Sequence, residues 1–230
     1  MGAVAFAAYW HWLRPRHLRW GAAEAEVRRA LPGDELLAHW RFSATHAITI
    51  HAPAAEVWPW LAQIGQGRGG FYSYTWIENL LGCNIHNADQ VHPEWQNLKA
   101  GEAILLHPKV PPITAVIVEP GRVIVLRGDS RQGALSNLVK PGDYFATTWT
   151  FCLEPVDAHT TRLIERYRFD YNPTPMNTFF YRVILEPGSF IMERKMLLGI
   201  KERAERAVRQ HERIQKNLAT RHLKEGGLLL

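Results

Sequence analysis

Two cysteines, Cys83 and Cys152, are all that the 230 residues contain, too few and too far apart for a disulfide framework. Free thiols imply a reducing compartment, so the cytoplasm is the expected location. No apolar run reaches the roughly 18 residues that a spanning helix needs. No basic stretch precedes an apolar core, as a secretory signal would require. A nucleophile motif and a nucleic-acid module are also missing. A phosphate loop is missing in any usable context. Gly65, Gly67 and Gly70 match the glycine spacing of a dinucleotide fingerprint, with Asp89 downstream. That fingerprint requires a preceding strand, and here residues 53–64 predict a helix. Pro53 suits its first turn, and Val57, Trp58, Leu61 and Ile64 follow at helical spacing. No nucleotide, metal or other cofactor is expected.

What is present is apolar bulk. Hydrophobic residues make up 47% of the chain and nine tryptophans occur, enough for a sizeable core and for one domain with appendages. Residues 192–225 hold ten Lys/Arg against five Asp/Glu, which accounts for the whole net charge of +5. Glu202, Glu205 and Glu212 are interspersed there with Lys201, Arg206 and Arg209. That interleaving describes a solvated helix face; attraction to anionic lipid or nucleic acid is the minority reading.

The N-terminal segment, residues 1–20, joins an apolar, aromatic run ending at Leu13 to Arg14, Arg16, His17 and Arg19. Three readings fit: an interfacial membrane anchor with snorkelling arginines, the remnant of a longer spanning segment, or a helix docked on the domain. Residues 21–44 read as a connecting arm with a Pro32-Gly33 turn. The body, residues 45–214, opens on the alternating strand THAITI and the helix over 53–64. Ser73 is the expected N-cap of a second helix through Leu81, with Trp76, Ile77, Leu80 and Leu81 along one side. Strand periodicity then covers 103–107, 113–119, 122–127, 147–154 and 161–169. Residues 128–143 form a long loop of the kind that borders ligand mouths. After a helical stretch broken at Pro187-Gly188, a helix is expected from 189 to about 214, followed by a frayed tail over 215–230. Its stripe is Phe190, Leu197, Ile200, Ala204 and Ala207. Bulky Phe190, Ile191, Met192 and Met196 near its start imply a wider, adaptable space than the later alanines do.

The candidate site is organised around residues 65–82, GQGRGGFYSYTWIENLLG. Glycine freedom beside rigid aromatic surface describes a loop that walls or closes a cavity. Arg68, Phe71, Tyr72, Tyr74 and Trp76 are its expected contributions, with the tyrosine hydroxyls offered to a ligand's polar group. The alternative is that Phe71, Tyr72 and Trp76 plug the end of the sheet. On the last strands Trp149, Phe151, Glu165 and Tyr167 face inward by parity, and Phe190 and Met196 face them from the helix. Glu165, an acid in an inward set, needs a partner or a ligand, and Arg127 or Arg68 could provide it. His86 and Asp89 are the other polar pair, as a loop-pinning hydrogen bond or as an acid–base couple. Cys83, His86, Asp89 and His92 fall three apart, but the distant second ligand pair of a zinc site is missing. No residue can be named as catalytic.

These segments carry a resemblance. The run AITIHAPAAEVWPWLAQIGQGRGGFYSYTWIENLLG, the pieces IHNAD and PEWQNLKAGE, and the strands TTWTF and TRLIERYR resemble the SRPBCC superfamily, its START-like and polyketide cyclase/dehydrase-like group, over residues 43–213. The first run resembles a bacterial branch of it. The resemblance implies an α+β helix-grip fold, a curved antiparallel sheet wrapped around a long C-terminal helix, with two short helices after the first strand. It implies a hydrophobic cavity that binds a lipid or polyketide-like molecule. The alternative is a cyclase or dehydratase acting on such a molecule through His86/Asp89 or Glu165/Arg127. The expected partners are thus a small hydrophobic ligand and a membrane surface reached through residues 1–20, with no nucleic acid.

Overall fold

Strand alternation and helical stripes assemble into one α+β layer pair. The computed structural model describes residues 9–226, with side chains for residues 9–218; the start of the expected anchor and the last residues of the tail lie outside them. Six antiparallel strands make one curved sheet. In chain order they are β1 (Phe42–Ile50), β2 (Ala103–Ile104), β3 (Ile113–Glu119), β4 (Val123–Asp129), β5 (Phe145–Asp157) and β6 (Thr160–Tyr171). Their spatial order is β1-β6-β5-β4-β3-β2. Two short helices, α3 (Ala54–Ala62) and α4 (Thr75–Leu80), follow β1, and the long helix α6 (Glu186–Gly226) closes the chain. This is the helix-grip arrangement that the order of elements predicted.

The inner face of the sheet meets α3 and α6 in the main core. Leu61 and Ile64, Ile124, Leu126, Phe151, Leu153 and Leu163, and Leu197, Ile200 and Ala204 are fully buried there. Each large apolar side chain so buried contributes about 1.5–3 kcal/mol. The pairing of β1 with β6 sets His46 opposite Glu165, and that of β5 with β6 sets Phe151 opposite Glu165 and Trp149 opposite Tyr167. Those rows fix what faces α6.

The outer face is not left to solvent. Short helices α1 (Arg14–His17) and α2 (Glu24–Arg28) belong to an arm that lies across it. The carbonyls of Leu18 and Trp20 accept from the amides of Thr45 and Ala47 at 2.8 and 3.1 Å, which covers the open edge of β1. Leu31 packs with Ala47, Val123, Val125, Cys152 and Ile164 in a second apolar cluster. The segment expected to be a connecting arm is thus a structural layer.

Two helix boundaries differ from expectation. No break occurs at Pro187-Gly188: α5 (Pro175–Phe179) runs through a π-helical turn, Phe180–Leu185, directly into α6. Proline lacks an N–H and crowds the preceding turn, and a widened π turn absorbs both. Past 214 the sequence offers no further breaker before Gly226, and α6 continues to that residue.

Candidate functional site

A cavity of about 460 Å³ lies between the start of α6, α4 and the sheet. Phe71, Leu106, Trp149, Met192 and Met196 supply apolar wall. Exposed Leu81, Ile184 and Ile191 frame its mouth. Ser73, Glu78, Tyr167 and Glu193 supply its polar atoms. The space exists because α6 packs tightly only farther along. There Gly199 lets the helix approach the Tyr72 carbonyl so closely that a Cβ would collide with it, while flexible methionines line the wider end.

Beneath the cavity three buried ionisable groups converge. His46 of β1, Glu165 of β6 and Glu193 of α6 are 1%, 0% and 8% exposed. The His46 Nδ1 lies 3.2 Å from Glu165 Oε2 and 3.3 Å from Glu193 Oε2. Its Nε2 lies 2.9 Å from the His17 carbonyl, which accepts a hydrogen bond from that nitrogen and fixes the ring. Trp149 Nε1 donates to the other Glu165 oxygen at 2.5 Å. Burial alone pushes the His46 pKa down, and the two carboxylates reverse that, raising it to about 10. Burial, then the Glu193 charge, raises Glu165 to about 7 against the opposing pull of His46. Phe190 stacks on His17 and packs against His46, centroids 5.3 and 5.6 Å away, and so seals the cluster from the arm side.

A fourth acid stands apart from this cluster. Glu78 on α4 lines the cavity, is 6% exposed, and has one carboxylate oxygen buried without a partner. Burial raises its pKa to about 7. The helix that carries it is inverted relative to expectation: the acid is inside, while Trp76, Leu80 and Leu81 are exposed. Ser73 does not cap that helix either. Tyr74 occupies the N-cap position without a side-chain bond, and the Ser73 hydroxyl donates to the Met192 carbonyl at 3.0 Å.

The glycine-aromatic loop divides between wall and plug. Phe71 lines the cavity, its ring 6.3 Å from Trp149. Tyr72, at φ 55° and 1% exposed, donates its hydroxyl to the Trp60 carbonyl at 3.0 Å. Asn87 accepts from the Tyr72 amide at 2.7 Å and donates to the Ser73 carbonyl, and Arg203 sits 4.9 Å over the Tyr72 ring. A hydroxyl engaged this way is not offered to a ligand, so Tyr72 is a plug. Gly70 must be glycine, because a Cβ there would strike Asn87 Oδ1 and the His86 carbonyl.

The other expected site residues separate as follows. Trp149, Tyr167 and Met196 line the cavity with Phe71. Phe151 is fully buried in the core, one step deeper. Arg68 braces the loop, donating to the Ala62 and Trp95 carbonyls. Tyr74 lies under Lys195, its ring 5.8 Å from the ammonium, and is outside the wall. Arg127 cannot meet Glu165, because strand alternation puts it on the outer face. There it pairs loosely with Asp129 at 3.4 Å, beside a second, more polar cavity of about 500 Å³ bordered by the loop over 128–143. His86 and Asp89 do not pair: Asp89 bonds Arg203 and approaches Arg206 of α6 at 3.1 and 3.6 Å. Nor do Cys83, His86, Asp89 and His92 gather; among the described residues the only such cluster of potential ligands is His46, Glu165 and Glu193.

His46 and Glu193 escaped the sequence reading, yet each left a signal. His46 shares parity with Ile48 and Ile50 on β1, the inward face. Glu193 fills the gap between Phe190 and Leu197 in the apolar stripe, three and four residues away. An acid on a core stripe and a histidine on a core parity are each unremarkable alone; only the fold joins them.

No protein-family model matches the sequence, and none of the curated proteins is similar to it. Solved structures are similar at low identity. The ZhuI aromatase/cyclase from a Streptomyces species is 19% identical, with 74% of this chain and 96% of that one covered, TM-score 0.40. Norcoclaurine synthase from Thalictrum flavum, in complex with dopamine and hydroxybenzaldehyde, is 13% identical over 74% and 87%, TM-score 0.39. A hypothetical protein from Helicobacter pylori is 10% identical over 76% and 95%, TM-score 0.43.

Proposed function

We propose that this protein binds a small, mostly apolar molecule, lipid or polyketide-like, whose polar group donates a hydrogen bond or carries positive charge. The single observation behind this reading is an apolar cavity with buried acids at its walls and floor. Its volume, about 460 Å³, falls within the usual range of small-molecule sites, about 300–1,000 Å³. Glu78 and Glu193 face that space, and among the described residues no cationic side chain lines it. An unpartnered buried carboxylate oxygen is costly; a donor on the ligand relieves that cost. Native mass spectrometry of the purified chain tests the reading by detecting a co-purified apolar ligand. Titration with an environment-sensitive fluorescent fatty alcohol or its amine analogue should saturate and weaken in Trp149→Ala. Absence of saturable binding by either probe, with no co-purified molecule, rejects it.

An enzymatic reading has its own support. A histidine held between two carboxylates at the cavity floor suits proton transfer to a bound molecule, with Glu193 as the member nearest the cavity. His46, Glu165 and Glu193 therefore replace His86/Asp89 and Glu165/Arg127 as the polar set of that reading. If it holds, Glu193→Gln should stop turnover of a bound polyketide-like substrate while leaving the fluorescent probe bound.

Contact with a membrane surface is the remaining proposal. Residues 9–20 dock on the domain through Arg14 and His17, which both bond the buried Glu186 at 2.8 and 3.3 Å. Yet Trp12 and Leu13 remain exposed, as do Phe179, Phe180 and Ile184. Among the described residues no helix is long and apolar enough to cross a membrane. Those exposed groups fit interfacial contact instead. Sedimentation with anionic vesicles should be lost in a Trp12→Ser/Leu13→Ser variant; a full-length protein that never sediments rejects the idea.

A further inference from the structure

We infer that His46, Glu165 and Glu193 form a binding site for one divalent first-row transition ion of the zinc class. The argument begins with a shortage of protons. Two carboxylates converge on one ring nitrogen, His46 Nδ1, at 3.2 and 3.3 Å. That nitrogen can carry one hydrogen, and a hydrogen aimed at one carboxylate is misdirected for the other. The second ring nitrogen cannot help, because it is committed to the His17 carbonyl at 2.9 Å. Both contacts are also long for a charge-assisted N–H···O bond, which is about 2.7–2.9 Å.

The same spacing suits a metal. Ligands about 2.0–2.1 Å from a tetrahedral ion stand about 3.3–3.4 Å from one another. The two distances from Nδ1 match that edge, and all three donor atoms lie within 4.8 Å of one another. The third edge, between the two carboxylate oxygens, falls within that same 4.8 Å limit. Charge agrees as well: two carboxylates and a neutral imidazole balance a dication, whereas an imidazolium neutralises only one of the two acids. Metal binding then releases the Nδ1 proton to solvent.

The surroundings are those of a supported site. Ligating histidines characteristically donate their second ring N–H to a carbonyl or carboxylate, and the His17 carbonyl is that acceptor. A ligating carboxylate is likewise oriented by a hydrogen bond, here from Trp149 Nε1 to Glu165. Glu193 borders both the cluster and the cavity, which gives the ion a route in and leaves a coordination position facing whatever fills the cavity. Imidazole as a ligand favours zinc, cobalt, nickel or iron over magnesium or calcium. The inference does not depend on which molecule the cavity takes.

Cobalt(II) chloride titrated into the chelator-treated full chain tests it. One equivalent should bind with visible ligand-field absorption, be displaced by zinc and not by magnesium. Glu193→Gln and Glu193→Asp should lose or alter that absorption, and His211→Ala, in an exposed pair with Glu56, should not. Trp149→Phe should weaken binding about 10-fold or more, the usual effect of removing an orienting bond. Absence of one-equivalent uptake by the unaltered chain overturns the inference. So does uptake that survives unchanged in both folded Glu193 variants, or equal displacement by magnesium.

Discussion

On the outer face of the sheet Arg166, 2% exposed, donates to Asp34 Oδ2, to Thr45 Oγ1 and to the carbonyls of Glu26, Val27 and Arg29. On the inner face of the same strand Glu165, fully buried, shares one histidine nitrogen with Glu193. The neighbours repeat the contrast. Under the arm Arg162 bonds Glu26, Thr49 Oγ1 and the Gly21 carbonyl, whereas inside the cavity Glu78 keeps an orphan oxygen. A buried charge with all its bonds made holds the fold together. A buried acid short of donors stores unmet binding capacity, and that separates the arm-covered face from the face proposed to bind a ligand.

The most severe way to break this comparison is to remove the outer cation. Arg166→Ala strands three carbonyls and leaves Asp34 to Arg168 alone, so unfolding in urea should show a loss of about 3–5 kcal/mol. A loss under about 1 kcal/mol would mean that the arm is not a structural layer.

Tyr72→Ala should cost nearly as much, about 3–5 kcal/mol by the cavity it leaves, measured on ligand-free protein. Tyr72→Phe should cost about 1–3 kcal/mol, because the Trp60 carbonyl loses its buried donor. Probe affinity should stay the same in Tyr72→Phe; an affinity that falls while stability does not would move Tyr72 from plug to wall.

Glu78→Gln should act in the opposite direction. With its folded pKa raised to about 7 from the ordinary 4.5, the folded chain holds the Glu78 proton across that window and the unfolded chain does not. Stability therefore falls as pH rises from about 4.5 to 7 and stays lower above it. The glutamine variant removes that fall and should be more stable near pH 8 by up to about 3 kcal/mol, with little change near pH 4. Comparing unfolding curves at the two pH values decides it, and a destabilised variant at pH 8 would show that Glu78 is paired after all.

The smallest effect belongs to the surface. Asp89, with its side chain 79% exposed, should lose under about 1 kcal/mol in Asp89→Ala despite touching two arginines, by thermal unfolding. A larger loss would extend the charge-paired structural layer to the loop over 82–98.

The sequence by itself determined the strand parities, the helix-grip order and the apolar stripe of α6, because each is a local repeat of two or about 3.6 residues. It therefore placed Trp149, Glu165, Tyr167 and Met196 on inward faces, and β3 lies at the predicted residues, Ile113–Glu119. It could not decide which inward residues meet. His46, Glu165 and Glu193 lie on three elements, 119 and 28 residues apart in turn along the chain, and only the register of β1 with β6 and the seating of α6 bring them together. The inversion of α4, with Glu78 inside and Leu80 outside, was decided the same way. Six residues are too short for a periodicity to overrule the loop that aims them, so tertiary packing alone chose that face.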